Sequence, residues 1–332
     1  MRRLGFACLV LLVACRGADD SVVVYVSHDQ VFSEPILRDF ERDTGIRVLP
    51  VYDTEEAKGT GVMNRLLAER NNPQADVYWA NEPIRAELLK QEGVSESYRS
   101  PSSQGIPAGL RDPDGHWTGF AARARVFVVH KDIGDPPRTI AAYSDPSWRG
   151  RGVIANPLFG TTTTHMAALA SLWGADSLMA FLGLARANSV VMSTSNGESA
   201  DLVAQGAFAF SLVDVDDAIS RLRRGDPITM IYPDQAVGGL GTLLLPNAVL
   251  LIRGGPNPEN GRRLIDYLLS PETERKLAAS DAAQVPLHEG VAVPPDLPPI
   301  ENVTIMDVDY TSMARLLDEI QPLLQSWVES QP

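Results

Sequence analysis

The chain has 332 residues, 44% of them hydrophobic and 21% charged, with a formal net charge of −13 at pH 7. That length is enough for two packed domains. So acidic a balance argues against nucleic acid as a partner and is compatible with a cationic ligand.

The first residues read as an export signal. Arg2 and Arg3 precede the apolar run Leu4 to Leu12, which is too short to span a bilayer. Leu12-Val13-Ala14-Cys15 then resembles the box of a bacterial lipoprotein signal. Residues 1–14 would be the signal peptide and residues 15–21 a polar tether. Cys15 would carry a diacylglycerol and anchor the protein to a membrane. The competing reading is an ordinary signal peptide with a chance cysteine. Cys8 lies inside the signal, so processing leaves Cys15 alone, which excludes an internal disulfide, a cysteine nucleophile and a thiolate metal site. Removing 14 of the 332 residues leaves 318, with the net charge at −15. No other apolar run reaches membrane-spanning length.

The apolar run Val22 to Val26 predicts a strand buried on both faces. A helix follows over 33–44, with Ser33 as N-cap, Pro35 in its first turn and Gly45 at its end. The pattern continues with a strand at Ile46 to Val51, a helix over 61–70, a strand at Ala75 to Ala80 and a helix over 83–92. Such alternation predicts a parallel sheet with helices on both faces. Two longer β-type runs, Gly119 to His130 and Gly241 to Ile252, bracket a second alternating block. That block reads as strands at Gly152 to Ala155, Val190 to Ser193 and Ala207 to Val213. Its helices fall over 162–173, 177–187, 198–205 and 216–224. Helices at Pro258 to Leu269 and Pro271 to Ala279, a proline-rich strap from Val285 to Pro299, and an amphipathic helix kinked at Pro322 complete the chain. Trp79, Trp148 and Trp173 read as core.

The expected architecture is α/β, with two lobes joined by two crossover strands around a ligand cleft. Residues 22–118 with 243–275 would form the first lobe, and 124–240 with 276–328 the second. One continuous sheet would count against this division.

Several segments carry a resemblance. Val23 to Val26 with Ser27-His28, Asp39-Phe40-Glu41 through Thr44-Gly45, Ala75 to Trp79 with Asn81-Glu82, and Gly254 to Leu269 with Ser270-Pro271-Glu272 resemble bacterial extracellular solute-binding proteins. His28 with Glu82 points more narrowly to the ferric-iron ABC transporter substrate-binding family. The resemblance implies a type II periplasmic-binding-protein clamp that works with an ABC permease and its ATPase. It also implies that His28 and Glu82 supply metal ligands from one lobe. The opposite lobe of that family offers two adjacent tyrosines, where this chain has Asp214-Val215-Asp216-Asp217. The phenolate pair that suits Fe(III) is therefore missing. One imidazole and Glu82, Asp214, Asp216 and Asp217 remain, an oxygen-rich set compatible with iron or another hard or borderline cation. The family also holds a small anion at a helix N-terminus. Thr161, Thr162, Thr163 and Thr164 open a helix here, and Asn196 starts its neighbour; Lys58 or Arg123 could add charge.

Plainer roles compete with each of these. His28 could cap the 33–44 helix, Glu82 could be a first-turn charge favoured by the dipole, and Asp214 and Asp216 sit where caps are wanted. The threonines could be N-capping residues, His165 a helix-surface or supporting residue, and Tyr232 part of a turn near the cleft. The chain carries no Ser-His-Asp order, Walker loop, GxGxxG after a strand or HExxH motif, so no enzyme class is supported. Two binding functions follow. In the first, an exported monomer captures a metal cation, most simply iron, with or without a bound anion. In the second, the anion is itself the cargo, a phosphorylated or carboxylated solute. A purely adhesive lipoprotein would not need two hinged lobes. If His28 ligates a metal, affinity should fall as pH drops through roughly 6.5.

Overall fold

A computed structural model describes residues 20–53, 60–297 and 303–330. Cys8, Cys15, the expected signal peptide and Lys58 lie outside the described residues. The first half alternates as β1 (Ser21–Val26), α1 (Gln30–Thr44), β2 (Arg47–Tyr52), α2 (Thr60–Glu69), β3 (Val77–Ala80) and α3 (Pro83–Gln91). A two-residue strand β4 (Ser95–Glu96) leads into the first crossover, β5 (Thr118–His130). The second half runs β6 (Gly152–Ala155), α4 (Gly160–Trp173), α5 (Ala175–Ala187), β7 (Val191–Ser193), α6 (Asn196–Ala204), β8 (Phe210–Asp214), α7 (Val215–Arg224) and β9 (Ile228–Ile231). The return crossover β10 (Leu244–Ile252) precedes α8 (Pro258–Leu268), α9 (Pro271–Ala279) and α10 (Tyr310–Glu329).

Most expected elements are present within a few residues of their predicted limits. Helix α1 differs at its start. It begins three residues before Ser33, whose hydroxyl bonds back to the Asp29 carbonyl at 2.9 Å instead of capping. A serine placed one turn inside a helix serves the preceding carbonyl as readily as a cap. Helix α10 runs through Pro322, which lies on its exposed side. Strands β4 and β9 were not expected from the pattern, and both are short.

The strands follow the order β2-β1-β3-β10-β5-β8-β6-β7, with β4 on β10 and β9 on β5. β1 pairs in parallel with β2 and β3, and β6 in parallel with β7 and β8. β10 and β5 run antiparallel to their neighbours. The hydrogen-bond path is continuous, contrary to the expectation of separate sheets, because β5 serves both halves. Its first residues, Thr118 to Ala124, pair with β10, and Arg125 to Val129 pair with β8. A strand of 13 residues has the length for two sets of partners. Helix α9 also runs unbroken across the expected lobe boundary at 275/276.

Side chains alternate across the sheet into two apolar clusters. Tyr25 and Tyr78 join one, with Met313, Leu324 and Trp327 of α10. Val24, Val26 and Trp79 join the other, with Phe40, Leu264 and Leu277. Trp79 is fully buried, as expected, and Trp148 and Trp173 are partly buried against the first cluster. Helix α10 packs on α3, α4 and α5, so it touches both halves. No helix among the described residues is long and apolar enough to cross a membrane.

Candidate functional site

The candidate residues collect at the carboxyl ends of β1, β3, β6, β7 and β8, around the middle of β5. His28 follows β1. Its ring stacks on Trp79, with centroids 5.4 Å apart, and its Nε2 lies 3.4 Å from the Gln284 amide. Asn81 and Glu82 follow β3. Glu82 is the N-cap of α3: its two carboxylate oxygens accept from the amides of Ile84 at 2.8 Å and Arg85 at 3.2 Å. Arg85 also lies 3.5 Å from it. Burial raises the Glu82 carboxyl above the ordinary range, against the pull of Arg85 and the two amides. Both oxygens of the expected ligand are thus committed to the helix end.

The opposing group is built on Asp214. It is the register partner of Arg125 across the β5–β8 ladder. Arg125 is fully buried, and its Nη1 donates to Asp214 Oδ1 at 2.8 Å and to Thr161 Oγ1 at 3.1 Å. Its Nη2 donates to the Leu212 carbonyl at 3.0 Å. Thr161 Oγ1 donates to Asp214 Oδ2 at 2.8 Å and accepts from the Asn196 amide at 2.9 Å. Thr162 Oγ1 donates to Asn196 Oδ1 at 3.2 Å. Asp214 occupies the N-cap position of α7 without a side-chain capping bond, because its carboxylate is drawn to Arg125. Burial alone would raise the Asp214 carboxyl, but Arg125 and Arg123 hold it below its usual value.

Asp216 and Asp217 lie in the first turn of α7 and are not side-chain caps. With Asp214 they bring ligand oxygens within 4.8 Å of one another, while among the described residues neither His28 nor Glu82 joins such a group. Burial, and then the neighbouring Asp214, pushes Asp216 up to about 6. Asp217 is raised well above the ordinary range, by burial and by Asp216, despite Arg221 at 3.5 Å. Asp216 Oδ1 is buried with no hydrogen-bond partner among the described residues. Three carboxylates held this close repel one another, and a positive centre would relieve the repulsion.

Beside them, α4 starts at Gly160 with no side-chain cap on Phe159. Thr161 to Thr164 are all buried within its first turn, and Thr163 Oγ1 has no partner among the described residues. Free amides at a helix start favour an anion. His165, expected at a helix surface or in a supporting position, is not at the surface: it is buried, and burial with Arg125 nearby lowers its imidazole to about 3, so it is neutral. Tyr232 is partly buried and packs against the second cluster.

Arg123 spans the two groups. Its Nη2 donates to the Asn81 carbonyl at 2.5 Å, and its Nη1 lies 3.5 Å from Asp214. Asp214, Asp216, Asp29 and Glu82 all act on it electrostatically. The sequence named Arg123 without placing it and missed Arg125 altogether. The available signal was two arginines at i and i+2 within an otherwise apolar strand. Alternation puts both on one face, and a charge buried there requires partners. Two surface depressions, of about 220 and 650 Å³, are lined by other residues.

Residues 75–313 match the model of a family described as bacterial extracellular solute-binding protein. The chain is 25% identical over 294 residues to iron uptake protein A1 of Synechocystis sp. (strain ATCC 27184 / PCC 6803 / Kazusa), covering 83% of this chain and 80% of that protein. It is also 25% identical over 291 residues to a putative 2-aminoethylphosphonate-binding periplasmic protein of Salmonella typhi, covering 87% and 80% respectively. In structure it is similar to the apo ferric ion-binding protein A of Pasteurella haemolytica, with a TM-score of 0.82 and 21% identity over 93% of this chain and 98% of that one. That likeness bears out the expected type II clamp.

Proposed function

From a chain that belongs to the bacterial extracellular solute-binding protein family, we propose a lipid-anchored capture subunit that carries iron, or a chemically similar cation with an anion, to an ABC permease and its ATPase. The observation that carries this reading is the convergence of Asp214, Asp216 and Asp217 within 4.8 Å, beside an uncapped helix start lined by buried threonines. Asp216 and Asp217 would receive the cation. The first turn of α4, with Thr162, Thr163 and Asn196, would hold its anion. His28 would complete the cation's shell from the first half when the clamp closes, and ligand would shift the population toward that closed form. The likeness to an iron uptake protein supports this reading.

A second reading is favoured by a specific observation. The tyrosine pair is absent, and Asp214 already has a guanidinium partner. The same paired charges would then suit one organic zwitterion, an aminoalkyl phosphonate or a similar solute. Its acidic head would lie on α4 and its ammonium on Asp216. The relative described as putatively 2-aminoethylphosphonate-binding supports this alternative. Metal analysis of purified protein, with calorimetry against ferric citrate, Mn(II), inorganic phosphate and 2-aminoethylphosphonate, separates the two. Bound metal and heat from ferric citrate are expected. Heat from the phosphonate alone, with no metal retained, would transfer the conclusion to the second reading.

The anchor has its own test. Labelling with a palmitate analogue is expected to mark the parent protein and to disappear in Cys15→Ala. Label that persists in the variant would end the lipoprotein reading.

A further inference from the structure

We infer that Gln284 is a positioning residue that ties His28 in the cleft to the pivot of the clamp, and that the pivot is the kink at Ala121. The inference rests on the cleft reading of His28 given above. Ala121 lies within the long strand β5 with φ +42°, a conformation that costs a residue with a Cβ and persists only where its surroundings enforce it. Across from it, the register of β10 slips between Pro246 and Asn247. Both crossovers therefore leave regular pairing at the same level, where any rotation of the halves must be absorbed.

Buried side chains hold this irregularity on two sides. Glu274 of α9 accepts from the Ala121 amide at 2.8 Å, from the Leu287 amide at 3.0 Å, and from the amide and Nδ1 of His288 at 2.9 and 2.8 Å. The amide of Asn247 donates to the Ala121 carbonyl at 2.6 Å and to Gln284 Oε1 at 2.9 Å. Gln284 Nε2 in turn donates to His28 Nε2 at 3.4 Å. Two mutual bonds of 2.7 Å between Ala122 and Val285 fasten the same segment to β5. One amide side chain thus has its oxygen on the pivot and its nitrogen on the cleft. Cargo that takes His28 Nε2 removes the acceptor of that nitrogen. The clamp then differs in its internal bonds between the empty and loaded states, which is what couples ligand to motion.

Hydrogen exchange of the 118–124 segment in the cargo-free protein tests the pivot without reference to any ligand. Exchange about tenfold faster than in the parent is expected in both Gln284→Leu and Glu274→Gln, because local opening loses its restraint. Rates unchanged in both variants would overturn the inference. Ala121→Gly keeps every hydrogen bond and removes the backbone penalty, so it decides the matter should the polar variants fold poorly. A Tm equal to or above the parent with faster exchange is expected, and unchanged exchange would count against the pivot. Ferric citrate and 2-aminoethylphosphonate form the loaded arms. With whichever binds, exchange over 118–124 should change in the parent and not in Gln284→Leu; an equal change in both would overturn the coupling. Should neither bind the parent while cargo-free exchange behaves as expected, the pivot stands and the cargo reading falls.

Discussion

Asp214→Ala is expected to destabilise the protein by about 3–5 kcal/mol, the range for removing one member of a buried ion pair. The substitution leaves Arg125, which is fully buried, with the Leu212 carbonyl and hydroxyl oxygens but without the carboxylate it pairs with directly. It also removes the acceptor of Thr161 Oγ1, and with it a bond that holds the first turn of α4 to the end of β8. Urea unfolding followed by circular dichroism would read the loss as a lower midpoint with little change in slope. The double variant Asp214→Leu with Arg125→Met should recover much of it, because no uncompensated charge is left behind. A loss under 1 kcal/mol for the single variant would mean that the pair does not organise this half, and Asp214 would again be available as a cargo ligand.

Cargo with a positive centre is expected to bind more tightly as pH rises through about 6, the value to which burial and Asp214 push the Asp216 carboxyl. Below that pH a proton occupies the group that would receive the cation, so affinity should rise by about fivefold between pH 5 and 6. The cargo-free protein should respond in the opposite sense. A carboxyl whose folded value is raised binds more protons folded than unfolded between its ordinary value and about 6, so its contribution to stability falls as pH rises through that window. Asp216→Asn should flatten both responses and weaken capture. Calorimetry with ferric citrate and with 2-aminoethylphosphonate at pH 5, 6 and 7 checks the first, and urea midpoints over the same series check the second. A binding constant flat across the series in the parent would remove Asp216 from the site.

Alternation of strand and helix, the two long β runs and the amphipathic C-terminal helix were legible because each repeats a period along the chain. The Thr161–Thr164 run and Asn196 were legible for the same reason: they sit at helix starts, and Asn196 does meet Thr161 and Thr162. What could not be read was the outcome of competition for partners. Glu82 and Asp214 were both candidate ligands, but one carboxylate is spent on the amides of α3 and the other on Arg125. The Glu82 choice is a local cap that competes with ligation, whereas that of Asp214 depends on a group 89 residues away in sequence, which spacing does not encode. The sharing of β5 between two ladders was hidden similarly, since a strand's pattern records burial and not which neighbours it pairs with.

The place of β10 in the sheet has a consequence for how the molecule matures. β10 is the neighbour of β3 at one side and β5 at the other, so the first ladder stays open until residues 244–252 arrive. Helix α10, which covers α3, α4 and α5, comes later still. A topology in which late segments complete early ones has high contact order and folds slowly. For a polypeptide that must leave the cytoplasm, a long interval without a finished sheet keeps the nascent chain threadable until most of it has been synthesised.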